Sequence, residues 1–374
     1  MASARKFSPQ YHGDMRNLIG AILCTSGTTG RSKGISVSQA HIEMVLKHAS
    51  VIRGSDVMFS FSPLYWGTGL FGLLNSISSD TTRVITRRSF NEEVFFDILD
   101  KYKPTHIFTA PTNVYFLLSH PRARSADYRC IKSWGLSGSH ASVSLREAID
   151  AKLPNGRSVN IYASSEIGLI AMEVDRKENT GAETRSENSV GVLMPHLDAK
   201  VVDEDDTAVG VGEQGELLIR TTLPFMGYYN DEAATREIVD TNGWIRTGDI
   251  GYLDQDGIVY LISRKKDVIK YRGYQISPMD LEAVIERIDG VEQVCVVGIP
   301  EMDGSSDLPA AVIVRRADSA LSEEAVVNIV NGQVSNHKRL RGGVYFWPEL
   351  PFTSTGKIMR RKVTEKLTDS VRTK

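Results

Sequence analysis

Thr25-Ser26-Gly27-Thr28-Thr29-Gly30-Arg31-Ser32-Lys33-Gly34 follows directly on the apolar run Leu18-Ile19-Gly20-Ala21-Ile22-Leu23-Cys24. The glycines let backbone N–H groups approach an anion without side-chain obstruction, the hydroxyls add donors, and Lys33 supplies a positive charge. Such a loop can wrap a polyphosphate. It is not the common nucleotide-binding P-loop, in which a glycine-lysine pair precedes serine or threonine, because Arg31 and Ser32 separate Gly30 from Lys33. A flexible linker is rarely joined to a buried strand, expected at residues 18–24, and followed by an apolar-periodic helix, expected at 41–52.

Outward from this loop, short apolar runs alternate with helical patterns as far as residue 170. A strand is expected at 56–62, a helix at 90–102 and a strand at 106–110, which argues a largely parallel, helix-flanked sheet. Residues 175–189 are polar and read as a loop. Beyond residue 190 the texture changes to β-hairpins: 199–202 with 216–220 about an acidic turn, and 252–262 around Asp256-Gly257, the pattern of a small barrel-like subdomain. After Arg264-Lys265-Lys266 comes a compact α/β segment. Ser277 at a helix cap, Pro278 at its first position and Asp280 three residues after the cap start a helix that Gly290 stops. Strands at 293–297 and 310–315 and a helix from about residue 322 follow. The boundary is placed at 264–266, between a large domain (1–263) and a small one (267–374).

With 41% hydrophobic residues, 24% charged residues and a net charge of −2, the composition is that of an ordinary globular chain. The 44 basic residues are scattered against 46 acidic ones, so bulk charge makes no case for nucleic acid or an anionic membrane. Cys24, Cys130 and Cys295 read as reduced core residues, which favours an intracellular compartment. No apolar stretch has membrane-spanning length. The expectation is a cytoplasmic or peroxisomal protein, although Val371-Arg372-Thr373-Lys374 is not the Ser-Lys-Leu address.

Further blocks accompany the phosphate loop: Phe61-Ser62-Pro63-Leu64-Tyr65-Trp66-Gly67, Ser137-Gly138-Ser139-His140-Ala141, Ile161-Tyr162-Ala163-Ser164-Ser165-Glu166, Gly243-Trp244-Ile245-Arg246-Thr247-Gly248-Asp249, the run from Arg264 to Tyr274, and Thr355-Gly356-Lys357-Ile358-Met359-Arg360-Arg361. In that order they resemble the motifs of the adenylate-forming (AMP-binding) superfamily, closest to its luciferase-like and 4-coumarate-CoA-ligase-like branch. The resemblance spans essentially the whole chain.

The resemblance implies a role for each block. Thr25, Ser26, Gly27, Thr28, Thr29, Gly30 and Lys33 would hold the phosphates of ATP, with Thr28 among the catalytic groups. Tyr162 would stack on adenine beside Ala163 and Ser164, Ser165 would meet the α-phosphate, and Glu166 would hold magnesium. Alanine stands at 163 where the family has glycine, and serine at 165 where it has threonine. Ser137, Gly138 and Ser139 would line the adenine and acyl pockets. This is the weakest match, because His140 and Ser142 stand where small residues and proline are usual. Asp249 would accept both ribose hydroxyls, with Arg264 beside it. Tyr65, Trp66, Gly67, Thr68 and Gly138 would form the acyl pocket, gated by Trp66. Lys266 would be the hinge, Lys270, Arg272 and Gly273 would serve the coenzyme A step, and Lys357 would bridge the carboxylate and α-phosphate.

The fold so implied is α/β: an N-terminally truncated adenylate-forming large domain, made of a helix-flanked sheet and a small β-barrel subdomain, with a small C-terminal α+β lid domain. The activity implied is that of an acid-thiol ligase, in which a fatty or aromatic acid reacts with ATP and Mg2+ to give acyl-AMP, and coenzyme A then takes the acyl group. A luciferase-like oxygenase, or a truncated non-catalytic nucleotide-binding isoform, is the alternative. Only 24 residues precede the loop, where the family carries a large segment. The expectation is therefore an exposed apolar edge, with a partner polypeptide or aggregation to cover it.

Overall fold

The apolar runs of the first half pair as a parallel sheet. The computed structural model describes residues 13–25, 33–48, 52–174, 186, 188–223, 225–301, 306–353 and 356–372. Strands Thr82–Val84, Val57–Ser60, His106–Thr109, Ser133–Leu136 and Arg157–Ser164 lie side by side in that order, each parallel to the next. Helices Gly67–Ser78, Glu92–Tyr102, Pro111–Ser119 and Val143–Asp150 make the crossovers. The helix expected at 90–102 shows why such boundaries are readable. The Asn91 side chain accepts the Val94 N–H, Glu92 and Glu93 follow in the first turn, and Lys103 in the left-handed region (φ 48°) ends it. Its buried face of Val94, Phe95, Ile98 and Leu99 packs on Phe59, Ile107 and Trp134.

From Arg157–Ser164 the sheet continues, now antiparallel, through Gly168–Met172, Ser189–Leu193, Ile258–Arg264, Ile245–Leu253, Gly215–Thr221 and Leu197–Val202. Both expected hairpins are present. In the second, Gly257 at φ 72° donates its N–H to Asp254 O at 3.1 Å. The region expected to be barrel-like is the antiparallel half of one 11-stranded sheet, with Tyr162, Ile170, Leu217, Ile245 and Val259 among its core.

The phosphate-loop run forms a separate hairpin, Ile19–Cys24 against Gly34–Ser38, whose ends are tied where Thr25 N donates to Lys33 O at 2.9 Å. The first strand is not buried throughout but shows the exposed apolar side also expected of it: Leu23 is buried and Ala21 half-buried, while Ile19 and Ile22 are 46% and 44% exposed, because one face alone packs, on Ile35, Val37, Ile42 and Phe71. Helix Gln39–His48 fills the described part of the span expected at 41–52, of which residues 49–51 lie outside the described residues and Ile52 is not helical. Cys24 lies on the open side and is an exposed free thiol, unlike the expected core residue, whereas Cys295 is buried and Cys130 half-buried.

Past Arg264 the small domain begins with hairpin Ile269–Tyr271/Tyr274–Ile276, turned through Arg272 and Gly273 at φ 47° and 83°. Positive φ at both central residues gives the tight turn that suits the twist of a hairpin. Helix Pro278–Ile285, antiparallel strands Val291–Pro300 and Asp307–Arg315, helix Glu323–Gln333, strand Gly343–Phe346 and helix Arg360–Arg372 complete it. Ser277 occupies the expected cap position, but its hydroxyl does not cap. It donates to Ile262 O at 2.5 Å, tying the helix to the last strand of the large domain, while Asp280 pairs with Lys338. Among the described residues no helix is long and apolar enough to cross a membrane.

Candidate active site

A cleft of ≈ 2480 Å³ runs along the parallel strands from their starts at His106, Ser133 and Arg157 to their C-terminal ends, the last being the usual place for a ligand in an α/β sheet. Thr25, Lys33, Ser137, Gly138, Ala163, Ser164, Ser165, Glu166, Arg264, Lys266 and Lys357 line it, from segments scattered over the whole sequence. So do Tyr65, Trp66, Gly67 and Thr68. Ser26, Gly27, Thr28, Thr29 and Gly30 lie outside the described residues, as does most of the polar stretch 175–189.

Asp249 sits behind the cleft wall and is 5% exposed. Tyr162 Oη donates to its Oδ2 at 2.5 Å, and Arg264 Nε meets its Oδ1 at 2.8 Å. Register explains the second contact, because Asp249 and Arg264 are directly paired across antiparallel strands. Burial raises the Asp249 carboxyl pKa, and Arg264 and Tyr162 pull it back. The Tyr162 phenol is pushed well above its ordinary range, first by burial and then by Asp249. Tyr162 itself corrects an expectation. Ile161 and Ala163 line the cleft, whereas the ring between them is buried in the core cluster and its hydroxyl is spent on Asp249, so it is not placed to stack on a base in the cleft. Strand alternation is the cause.

Gly138 leaves its strand at φ 96° and lines the cleft with Ser137, but Ser139 and His140 do not. Burial, then Arg146, lowers the His140 pKa to about 4. Trp66 starts helix Gly67–Ser78, and Tyr65 O accepts the N–H of Cys24 at 3.1 Å, which ties the expected gate to the phosphate-loop strand. Gly69 admits the turn before that helix, since a Cβ there would meet Pro63 O at 2.0 Å. Lys270, Arg272 and Gly273 are exposed on their hairpin and outside the cleft.

Lys357 lines the cleft and is exposed to the solvent that fills it. The surrounding protein, then Arg264 and Lys266, lower its pKa to about 8, while Asp249 and Asp267 oppose the shift. Lys266, itself exposed, is lowered as well, chiefly by the protein that surrounds it. Phe352 rests edge-on against Phe116 at 6.1 Å, and Gly356 lies so close to Asn113 Oδ1 that a Cβ would approach to 2.6 Å. These contacts seat the Lys357 segment on helix Pro111–Ser119.

Two cleft residues escaped the sequence reading. Tyr228 Oη donates to Glu166 Oε1 at 2.8 Å, and His41 carries a pKa lowered to about 4 by burial and His196. Neither has a motif spacing that marks it. The Met226-Gly227-Tyr228-Tyr229 run held a glycine beside aromatics, the one available hint. Among the described residues no cluster of three or more His, Cys, Asp or Glu forms a metal cage. A single carboxylate such as Glu166, one of several that line the cleft, suits a magnesium ion carried mainly by phosphates and water.

These segments fall within one family. Residues 15–229 match the AMP-binding enzyme family and 280–357 match the AMP-binding enzyme C-terminal domain, so the chain belongs to the AMP-binding enzymes. Luciferin 4-monooxygenase of Photinus pyralis is 32% identical over 362 residues, 94% of this chain and 64% of that protein. Probable 4-coumarate--CoA ligase 1 of Dictyostelium discoideum is 28% identical over 349 residues, covering 91% and 62%. The chain thus spans less than two thirds of the length of these relatives. Among solved structures, the anthranilate CoA ligase AuaEII in complex with anthranoyl-AMP superposes with a TM-score of 0.84 at 22% identity, over 95% of this chain and 68% of that one. ATP-bound MatB from Rhodopseudomonas palustris gives 0.81 at 24% identity, over 94% and 69%. At these identities the structural likeness speaks to the fold alone.

Proposed function

We propose that this chain activates a carboxylic acid with ATP, forming an acyl-adenylate and pyrophosphate, and then transfers the acyl group to coenzyme A. The observation that carries the reading is Lys357, brought from the end of the chain into the cleft that Lys33, Glu166 and Arg264 also line. Attack of a carboxylate on the α-phosphate sets one anion against another, and cations fixed in a cleft lower that barrier. Lys357 and Lys33 supply the charge and Ser165 a hydroxyl, while Glu166 would share magnesium with the phosphates. Magnesium would neutralise phosphate charge there. Asp249 and Arg264 would anchor the ribose.

The wall beyond Trp66 supports a fatty or aromatic acid, since Val37, Val45, Ile52, Met58 and Phe71 give it an apolar lining. For the thioester step the small domain would turn about Lys266, exchanging Lys357 for the exposed hairpin of Lys270, Arg272 and Gly273. Pyrophosphate release by the purified chain, measured against a panel of fatty and aromatic acids, tests the reading. Turnover with one of them supports it, and nucleotide binding without turnover of any sinks it.

A further inference from the structure

Tyr228 joins two oppositely charged side chains of the cleft. Its hydroxyl donates to Glu166 Oε1 at 2.8 Å, and the Lys33 ammonium lies 4.7 Å from the centroid of the same ring. Phe225 braces the ring edge-on at 5.6 Å. The backbone is held just as closely. Ser36 N donates to Gly227 O at 3.1 Å, Tyr229 N to Gly34 O at 2.7 Å, and Tyr228 N to Thr235 Oγ1 at 2.9 Å. Gly227 permits this path at φ 91°, where a Cβ would meet Thr235 Oγ1 at 2.9 Å. Tyr228 is therefore stitched to the hairpin that carries Lys33, whereas Glu166 arrives from the turn after strand Arg157–Ser164.

We propose that Tyr228 is a positioning residue of the adenylation site: one neutral side chain holds Glu166 by its hydroxyl and Lys33 on its ring face, so the two charges stay available to Mg-ATP instead of pairing with each other. The proposal rests on the function proposed above. A cation and a carboxylate sharing one cleft would otherwise gain by direct contact, and such a pair would remove both the phosphate contact and the metal ligand. The ring offers the ammonium a competing site, and the phenol offers the carboxylate a donor that leaves its other oxygen open.

Two variants separate these contacts. Tyr228→Phe keeps the ring and deletes the hydroxyl, while Tyr228→Leu deletes both. Calorimetric ATP affinity is measured with Mg2+ and with EDTA, in the parent chain and in a Glu166→Gln background. In the parent background Tyr228→Phe should cut the Mg2+-dependent gain in affinity about tenfold, the scale of one hydrogen bond to a charged group, and leave metal-free ATP affinity unchanged. In the Glu166→Gln background it should add nothing. Tyr228→Leu should weaken metal-free ATP as well. A Tyr228→Phe chain with the parental Mg2+ gain, or one whose loss is the same in both backgrounds, overturns the positioning role. Thermal melts accompany each variant, and if Tyr228→Leu unfolds early the near-isosteric Tyr228→Phe decides alone. A parent chain that binds no ATP would instead overturn the proposed function, and this proposal with it.

Discussion

Replacing Asp249 by alanine tests the ribose wall at its most connected point. The carboxylate takes the Tyr162 hydroxyl on one oxygen and Arg264 Nε on the other, at 2.5 and 2.8 Å. The tyrosine contact is fully buried, and a hydrogen bond to a charged acceptor contributes about 1.5–3 kcal/mol. The Arg264 side chain is 39% exposed, so water screens its half of the pair to about 0–1 kcal/mol. Asp249→Ala should therefore destabilise the fold by about 1.5–4 kcal/mol, an upper estimate because the buried carboxylate's own desolvation cost disappears with it. Asp249→Asn should lose less, since its amide oxygen can face Arg264 while its NH2 faces the tyrosine oxygen. Nucleotide binding should suffer beyond stability. With two ribose donors unmatched, ATP affinity should fall by roughly tenfold to a hundredfold in Asp249→Ala. Urea unfolding at pH 7 and calorimetry with ATP read the two effects. An unfolding free energy within ~0.5 kcal/mol of the parent would refute the coupling to Tyr162 and Arg264, and unchanged ATP affinity would remove Asp249 from the site.

Lys357→Ala should reduce pyrophosphate release by roughly 10²-fold or more, the scale of one lost transition-state donor, yet keep much of the conversion of supplied acyl-adenylate and coenzyme A to thioester; parallel loss in both assays would contradict its assignment to the first step. With its pKa lowered to about 8, Lys357 loses charge as pH rises through that value, so pyrophosphate release should decline there; a rate still flat at pH 9, on the order of one unit above, argues against the lysine. Lys266→Pro fixes φ at the expected hinge and should slow thioester formation more than adenylation, whereas equal slowing would indicate general damage. His41 and His140 have pKa values lowered to about 4 by burial, below an ordinary 6.5. The unfolded chain therefore binds protons first, and stability, constant above the unfolded value, should be lost as pH falls from about 6.5 toward about 4, by at most ~1.4 kcal/mol per pH unit for each histidine. Urea midpoints that do not move between pH 7 and pH 5 would exclude both.

The sequence by itself determined what local chemistry decides. Alternating apolar runs and helical periods made the parallel half of the sheet legible, and the helix expected at 90–102 spans Glu92–Tyr102, its start set by the Asn91 cap. The Asp256-Gly257 turn needed positive φ at Gly257, which few residues tolerate, so its hairpin was legible, whereas the hairpin turned through Arg272 and Gly273 was not read from the sequence. The family resemblance implied that Lys33, Glu166, Arg264 and Lys357 share one site, and all four line the same cleft. What only that structure decided depends on register and on which face of a strand is covered. Tyr162 and Asp249 meet across 87 positions and Glu166 and Tyr228 across 62, and no local preference encodes such a meeting. A one-residue alternation buries Tyr162 while exposing Ile161 and Ala163 to the cleft, and that face is set by neighbouring strands. The same holds for Cys24, read as a core residue, whose exposure follows from a hairpin packed on one side alone, because burial belongs to the assembled layers rather than to the residue.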